Sequence, residues 1–474
     1  MVRGWYQFIV KRLGLVAGIC LVLFSDHAMA QVFDVRAHGA VGDGITDETA
    51  VLNEVIQACA AAGGGQVLFP PGTYLSGTLH LRSHIALVFE AGAVLKGTPD
   101  LTKYQFYTPP ADTAEAGYGA WHSALILGVG VENVSISGAG LIDGNKLFNP
   151  KGEERMRGPH TLLFGDSQHI TIRDVDIADA ANYAIMIEHS HQVEVRGVKC
   201  TGGWDGVHFR GWKDRPCQDI RIVGCQFYTG DDSIAGRYAE QVLIQDCVIN
   251  TSCNGIRIIG PLTSLIIHDC LFYGPGQYPH RTQDRHNMLA GILLQPGGWD
   301  RCEGILEDVL ISDVTMKEVA CPIAITLKRE GNQAKDITIE GVTASGVYHT
   351  AFSVESWIDT PVERVSIRNC SLEYRGGETQ ADRYIQVEKP GTDTRPLPAW
   401  GFYARHVADL RLESVRFNTR NQDVRPVLWS ERVDGLRLDG IAYPEPEGEG
   451  PAFFFKETEG LKIRNVARPK EEGQ

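Results

Sequence analysis

Positive charge is scarce in this sequence: 45 lysines and arginines stand against 59 aspartates and glutamates, a formal net charge of −14. A phosphate backbone wants a basic surface, so nucleic acid is not an expected partner. An acidic sugar would need a local cluster of cations. Beyond residue 30 no apolar run is long enough to cross a membrane, so no membrane anchor is expected. Sustained helical patterns are few as well. With 52 glycines in the chain, that shortage argues for many strands and turns.

The apolar share of 43% is ample for a large folded body. Length alone would divide 474 residues into about three domains, but a solenoid grows by adding rungs to one continuous core. The first thirty residues stand apart. Arg3, Lys11 and Arg12 form a positive stretch, Leu13 to Phe24 is a short apolar run, and Ala28-Met29-Ala30 supplies a small-x-small cleavage site. Residues 1–30 therefore read as a secretory signal peptide, and the mature chain is expected in a periplasm or outside the cell. Gln31 follows the cleavage site, so a lipoprotein anchor is not indicated.

A nine-residue pattern returns along the chain. It runs as NVSISGAGL from Asn133, HITIRDVDI from His169, QVEVRGVKC from Gln192, DIRIVGCQF from Asp219, QVLIQDCVI from Gln241 and SLIIHDCLF from Ser264. Further copies start at Asp308, Asp336, Arg364, Asp409, Gly435 and Gly460. Each alternates apolar and polar residues with the period of a half-buried strand. Compact copies recur every 22 to 28 residues. That is too short for a strand plus a full crossover helix, but it suits a coil of short strands stacked about 4.8 Å apart. The expected fold is all-β, a parallel β-helix (solenoid). Two intervals, 44 residues after Ser264 and 45 after Arg364, predict inserted loops or a degenerate extra rung. Thr46 to Thr49 followed by Ala50 to Ala62 predicts a short N-terminal helix covering the open end of the coil. Residues 31–100 thus form the cap and first strands, and 101–470 the β-helix itself.

Of eleven cysteines, Cys20 leaves with the signal. Cys225, Cys247, Cys270 and Cys370 share the seventh repeat position, which predicts a buried column of thiols rather than a metal site. A disulfide at Cys217 stays open.

Asp205, Asp232 and Asn254 each lie thirteen residues after the start of three successive copies, so they should stack. Alternation then turns His208 and Arg257 outward in one column, and Arg210 and Arg237 in the next. Asp231 precedes Asp232 directly. Repulsion among three neighbouring acids should raise at least one pKa, keeping a proton available at neutral pH. That division of labour is what glycoside hydrolysis needs: one carboxyl protonates the leaving oxygen and another activates water. A single Asp or Asn at such a turn is more often a cap for backbone N–H groups. The convergence of acids and cations on one strip argues for the chemistry, with His208, Arg210, Arg237, Asn254 and Arg257 as substrate contacts and no metal or cofactor. Two other readings stay open. In a calcium-dependent lyase, Arg257 or His208 would be the base. A non-catalytic carbohydrate-binding β-helix is the third.

At these residues the chain resembles the polygalacturonase family, glycoside hydrolase family 28. Thr201-Gly-Gly-Trp-Asp205-Gly206 stands where that family has Asn-Thr-Asp-Gly, and Gly230-Asp231-Asp232-Ser-Ile-Ala is similar to its paired-Asp motif. The segment FDVRAHGAVGDGITDETA, with FPPGTY after it, resembles a cap common to pectin-active β-helices. The resemblance implies a right-handed coil and hydrolysis of a polysaccharide or oligosaccharide with inversion. It implies Asp231 as proton donor, with Asp205 and Asp232 on the water. A monomer is expected. Two departures are clear. Cys253-Asn254-Gly255 replaces the family's Gly-His-Gly, and Gly291 to Gln295 lacks its Arg-Ile-Lys cations. His208 and Arg257 are the residues expected to take over those roles, and the sugar cleaved need not be galacturonate.

Overall fold

The computed structural model describes residues 31–107, 122–299, 301–378, 385–387, 390–444 and 451–466. The expected signal peptide lies outside the described residues. No helix among them is long and apolar enough to cross a membrane.

The chain folds as a right-handed parallel β-helix. The second position of the repeat makes one column from rung to rung: Ile170, Val193, Ile220, Val242, Leu265, Val309, Ile337, Val365, Leu410 and Leu436. The fourth position makes a parallel column two residues on. Both are buried through the rung of Leu436 and Leu438, and come to the surface only in the last copy, at Leu461 and Ile463. Each such side chain contributes about 1.5–3 kcal/mol relative to exposure, so the register is set by the core. A slip of one residue would turn every aliphatic outward.

The corners repeat too. The first residue of every quoted copy is left-handed. Asn133, His169, Gln192, Asp219, Gln241, Ser264, Asp308, Asp336, Arg364 and Asp409 have φ of 51–60°, and Gly435 and Gly460 are also positive. The sixth residue is left-handed in each copy as well, and there it is Gly, Asp, Asn or Ser, as at Asp246, Gly341, Asn369 and Ser414. These residue types tolerate that conformation best. The period of the fold is thus written in its corners as well as its apolar stripe.

The helix spans Thr49–Ala61 and buries Leu52, Val55, Ile56 and Cys59 against the first rung. Its start differs from the expectation. The N-cap residue, Glu48, makes no side-chain cap bond to the helix; its carboxylate reaches back to the Val41 and Gly42 N–H groups, and Asp47 accepts from Thr49 N–H instead. The ladder runs through residue 100 without a break, since Ile85–Phe89 pairs with Glu132–Gly138 and Ala93–Gly97 with Leu141–Asp143.

The two long intervals are single rungs. Leu265 pairs directly with Val309, and Val365 with Leu410, so no degenerate rung intervenes. The extra residues fall between strands: 274–289 between Leu271–Tyr273 and Ala290–Leu294, and 375–401 between Val362–Tyr374 and Phe402–Thr419. A third insertion, residues 144–159, lies between Leu141–Asp143 and His160–Gly165. All three leave the coil at the same corner.

The ten cysteines after Cys20 are free and buried, Cys217 included. The thiols of Cys225 and Cys247 donate to the carbonyls of Val195 and Ile222 one rung below. Burial pushes Cys217 up to about 12, so it stays a protonated thiol. A water-soluble thiol reagent is therefore expected to label essentially no cysteine in the native protein, and all ten in guanidinium chloride. Substantial fast labelling of the native chain, or fewer than ten thiols after unfolding, would contradict this core.

Candidate active site

The corner that emits the insertions is also where Asp205, Asp231 and Asp232 sit, between strands Lys199–Thr201 and Val207–Arg210 and between Gln226–Thr229 and Ile234–Arg237. Backbone bonds from Gly206 N–H to Asp232 O (3.1 Å) and from Ser233 N–H to Asn254 O (3.1 Å) hold Asp205, Asp232 and Asn254 in one column. Gly206 is required by close approach, because an added Cβ would lie 2.5 Å from both Phe227 and the Ser233 carbonyl.

The three carboxylates line a cleft of about 420 Å³. A wider hollow of about 740 Å³ runs along the exposed corner residues Asn133, His169 and Gln192, but it holds no cluster of buried titratable groups. Partners differ at each acid. Asp205 Oδ2 accepts from His208 Nδ1 at 3.0 Å. Burial, with Asp231 and Asp232 nearby, pushes the Asp205 carboxyl well above its ordinary range. Asp232 Oδ1 accepts from the Asn254 backbone N–H (3.0 Å) and side-chain amide (2.9 Å), with Arg257 at 3.7 Å. Burial still outweighs these, and Asp232 is also raised. Asp231 is the exception. Burial works against its charge, but Arg157 Nη2 at 3.1 Å from Oδ2 and His280 Nε2 at 3.8 Å from Oδ1 hold its carboxyl below the usual range.

His208 was expected outward as a surface residue. It is 3% exposed, stacked on Tyr183 with ring centroids 4.4 Å apart. Arg210 Nη2 approaches its Nε2 at 3.4 Å. A guanidinium can only donate, so Nε2 accepts and the proton sits on Nδ1, facing Asp205. His208 ends a file of rings running back through Tyr183, His160, His122 and Tyr107.

His208 therefore bonds to Asp205, not to Asp231. The histidine that faces Asp231 is His280, from the 274–289 insertion. Its Nδ1 accepts from Thr282 N–H at 3.3 Å, which leaves Nε2–H facing Asp231. Arg257 lines the cleft as expected and donates to Gln295 Oε1 (3.2 Å) and Thr392 O (3.0 Å). Arg210 also lines it.

Two expected substrate contacts lie elsewhere. Arg237 pairs with Arg210 in register but is fully buried, covered by the Trp212 turn and by Gly260 of the next rung. Asn254 is buried beneath the cleft, where its amide positions Asp232. Trp204 and Trp299 line the cleft, while Trp212 and Trp357 do not.

Arg157, Glu153, Glu154 and Tyr183 complete the wall and were missed. Arg157 stacks 3.8 Å above the Trp204 ring. The one available signal was the 36-residue interval from Asn133 to His169, longer than the compact rungs. Asp231, Cys253 and His280 each present a donor atom within 4.8 Å of the others. Arg157 already occupies Asp231, and Arg285 Nη2 lies 3.6 Å from Cys253 Sγ, so two guanidiniums stand where a cation would have to enter.

A right-handed β-helix with an acid-lined lateral cleft, walled by insertions, is the class that fold and site define. The chain belongs to the rhamnogalacturonase A/epimerase, pectate lyase-like family, whose model matches residues 32–276. It is 25% identical over 305 residues to a probable polygalacturonase of Vitis vinifera, covering 59% of each chain. Among solved structures it is similar to a hyperthermoactive exopolygalacturonase from Thermotoga maritima (TM-score 0.61, 17% identity, 82% of this chain and 91% of that one). It is also similar to a mannuronan C-5 epimerase module of Azotobacter vinelandii (TM-score 0.51, 13% identity, 93% of this chain and 100% of that one). At such identities these two likenesses show the fold.

One buried acid beneath the cleft has a measurable consequence. Glu188 pairs with Arg210 in register and is fully buried; burial pushes it up to about 7 from 4.5. The folded chain then holds a proton that the unfolded chain releases. This contribution is full below pH 4.5 and is lost as pH rises through about 7, on the order of 3 kcal/mol. Glu188→Gln is expected to flatten the decline of the thermal midpoint between pH 4.5 and 8. Parallel curves for variant and wild type would show that Glu188 titrates normally.

Proposed function

We propose that this protein is a glycoside hydrolase that cleaves a pectin-type or related polysaccharide by acid/base hydrolysis with inversion. The observation that carries the reading is the unequal treatment of three clustered carboxylates. Asp231 is kept ionised by cations, while burial favours a proton on Asp205. A proton-bearing carboxyl beside an ionised one is the pair that protonates a leaving oxygen and deprotonates water. Membership of a pectin-active family supports the same chemistry. The three insertions support attack near a chain end, because each contributes to the cleft wall, with Glu153, His280 and Asp393 among the lining residues.

A calcium-dependent lyase fits less well. Calcium wants several ionised oxygens free to coordinate it, whereas these acids face Arg157, Arg257, His280 and the Asn254 amide, and two of them favour the neutral form.

Purified protein offered a panel of plant cell-wall polysaccharides is expected to release reducing ends in the presence of EDTA, with no unsaturated product absorbing in the ultraviolet. Proton NMR of the first product should show the inverted anomer. Asp231→Asn should lower kcat by about 10²–10⁴-fold, the range for loss of one member of an acid/base pair, with binding retained. Unsaturated products, or turnover lost in EDTA, would favour the lyase. Binding without turnover on every glycan would favour a binding protein.

A further inference from the structure

Resting on the hydrolase reading, one feature of the cleft runs against it. The resemblance makes Asp231 the proton donor, yet the free cleft holds Asp231 as an anion and favours the proton on Asp205. The group responsible is Arg157, and its surroundings suit it to leave.

Arg157 is 5% exposed and anchored independently of Asp231. Its Cζ lies 3.8 Å above Trp204, its Nη2 donates to Glu154 Oε1 at 2.9 Å, and its backbone bridges to Phe148. Its Nε is buried and finds no acceptor among the described residues. A buried donor without an acceptor costs about 1–3 kcal/mol, and such groups are commonly completed by a ligand. The other cleft guanidiniums bond chiefly elsewhere: Arg257 to Gln295 and Thr392, Arg285 to the Ser252 carbonyl and Gln283. Arg157 is the one cleft guanidinium, among the described residues, with a direct hydrogen bond to one of the three acids.

We infer that Arg157 is a removable clamp: a carboxylate on the bound sugar takes the guanidinium, using the open Nε, and releases Asp231. The exchange conserves charge, since one carboxylate replaces another on the same cation. Around Asp231 there remain His280 at 3.8 Å, Arg257, the Cys253 thiol, Asp205 and Asp232, with Glu153 and Glu154 behind Arg157. Freed of its nearest cation and still beside two acids, Asp231 becomes the more basic site, and the proton held on Asp205 passes to it through solvent. In the bond-breaking step Asp231 gives that proton to the glycosidic oxygen as the C–O bond breaks. Water adds its oxygen to the anomeric carbon, and its proton goes to the carboxylate of Asp205, which the transfer to Asp231 has left without one. That proton returns to Asp231 through solvent, so the net reaction adds one water across one bond. Arg157 acts through Asp231 and is a positioning residue. The clamp ties proton delivery to the presence of an acidic sugar.

The test uses full-length mature protein, a uronic-acid oligosaccharide, and the same oligosaccharide with its carboxyl groups reduced to alcohols. The wild type is expected to lose about tenfold or more in kcat on the reduced substrate, since one pKa unit on the acid is worth about a factor of ten. Arg157→Met should raise KM for the acidic substrate but raise kcat on the reduced one. It should also move the alkaline limb of kcat/KM on the reduced substrate upward by about one pH unit or more. Arg157→Lys should stand between the two, and near-ultraviolet circular dichroism checks that each variant is folded. Equal losses on both substrates with an unmoved alkaline limb would overturn the clamp, as would a change in KM alone. If no glycan is turned over, or turnover survives Asp231→Asn, the hydrolase reading falls and the clamp with it.

Discussion

Every feature of this molecule depends on the hydrogen-bonded register between successive rungs. Backbone groups in a parallel coil can be satisfied only by the rung above and the rung below. Once Ile170 is opposite Val193, every other column follows: thiol over thiol at Cys225, Cys247 and Cys270, and acid over acid at Asp205 and Asp232. The left-handed residues at the first and sixth repeat positions make that register repeatable, because they turn the chain by the same angle at the same place in each copy. The arrangement also explains how like charges come to be neighbours. Two carboxylates one rung apart repel, but moving one away would mean breaking a ladder shared by the whole coil.

Given that constraint, the acids are made tolerable one at a time. Asn254 gives Asp232 two N–H donors, His208 gives Asp205 one, and Asp231 takes a guanidinium and an imidazole from inserted loops. The consequence is asymmetry. Identical side chains in one cluster favour different protonation states, because burial dominates at Asp205 and cations dominate at Asp231. Acid/base work at a single pH needs this separation, and here it arises from the identity of the partners.

The sequence disclosed what the ladder controls. The repeat gave the coil, the thirteen-residue offset gave the column of Asp205, Asp232 and Asn254, and alternation paired Arg210 with Arg237 and put Ala235 between His208 and Arg257. It did not disclose depth. Outward from a rung is not the same as exposed: His208 is buried against the Tyr183 ring, and Arg237 beneath the Trp212 turn and Gly260. Nor did it disclose Arg157 or His280 as partners of Asp231. Both lie in irregular segments, and a loop residue's place depends on how the loop folds back, which no periodicity encodes. His208 and His280 show the limit: column logic finds the histidine on the ladder and is blind to one arriving beside Asp231 from outside it.

The same division suggests how such a fold changes what it recognises. Rungs fix the three acids and tolerate little alteration, since a substitution there disturbs neighbours on both sides. The insertions between rungs carry Arg157, His280 and Arg285, and their length is free to vary without breaking a ladder bond. A chain that lacks the cations expected two rungs after its acid pair has not thereby lost cations from its cleft; beside Arg210 and Arg257 on the rungs, it carries Arg157 and Arg285 on loops entering from the same corner. An arginine on a loop can meet a carboxylate of either the protein or a ligand, whereas one fixed on a rung keeps its neighbours. Positive charge carried on an insertion therefore makes exchange of partners physically available at Asp231.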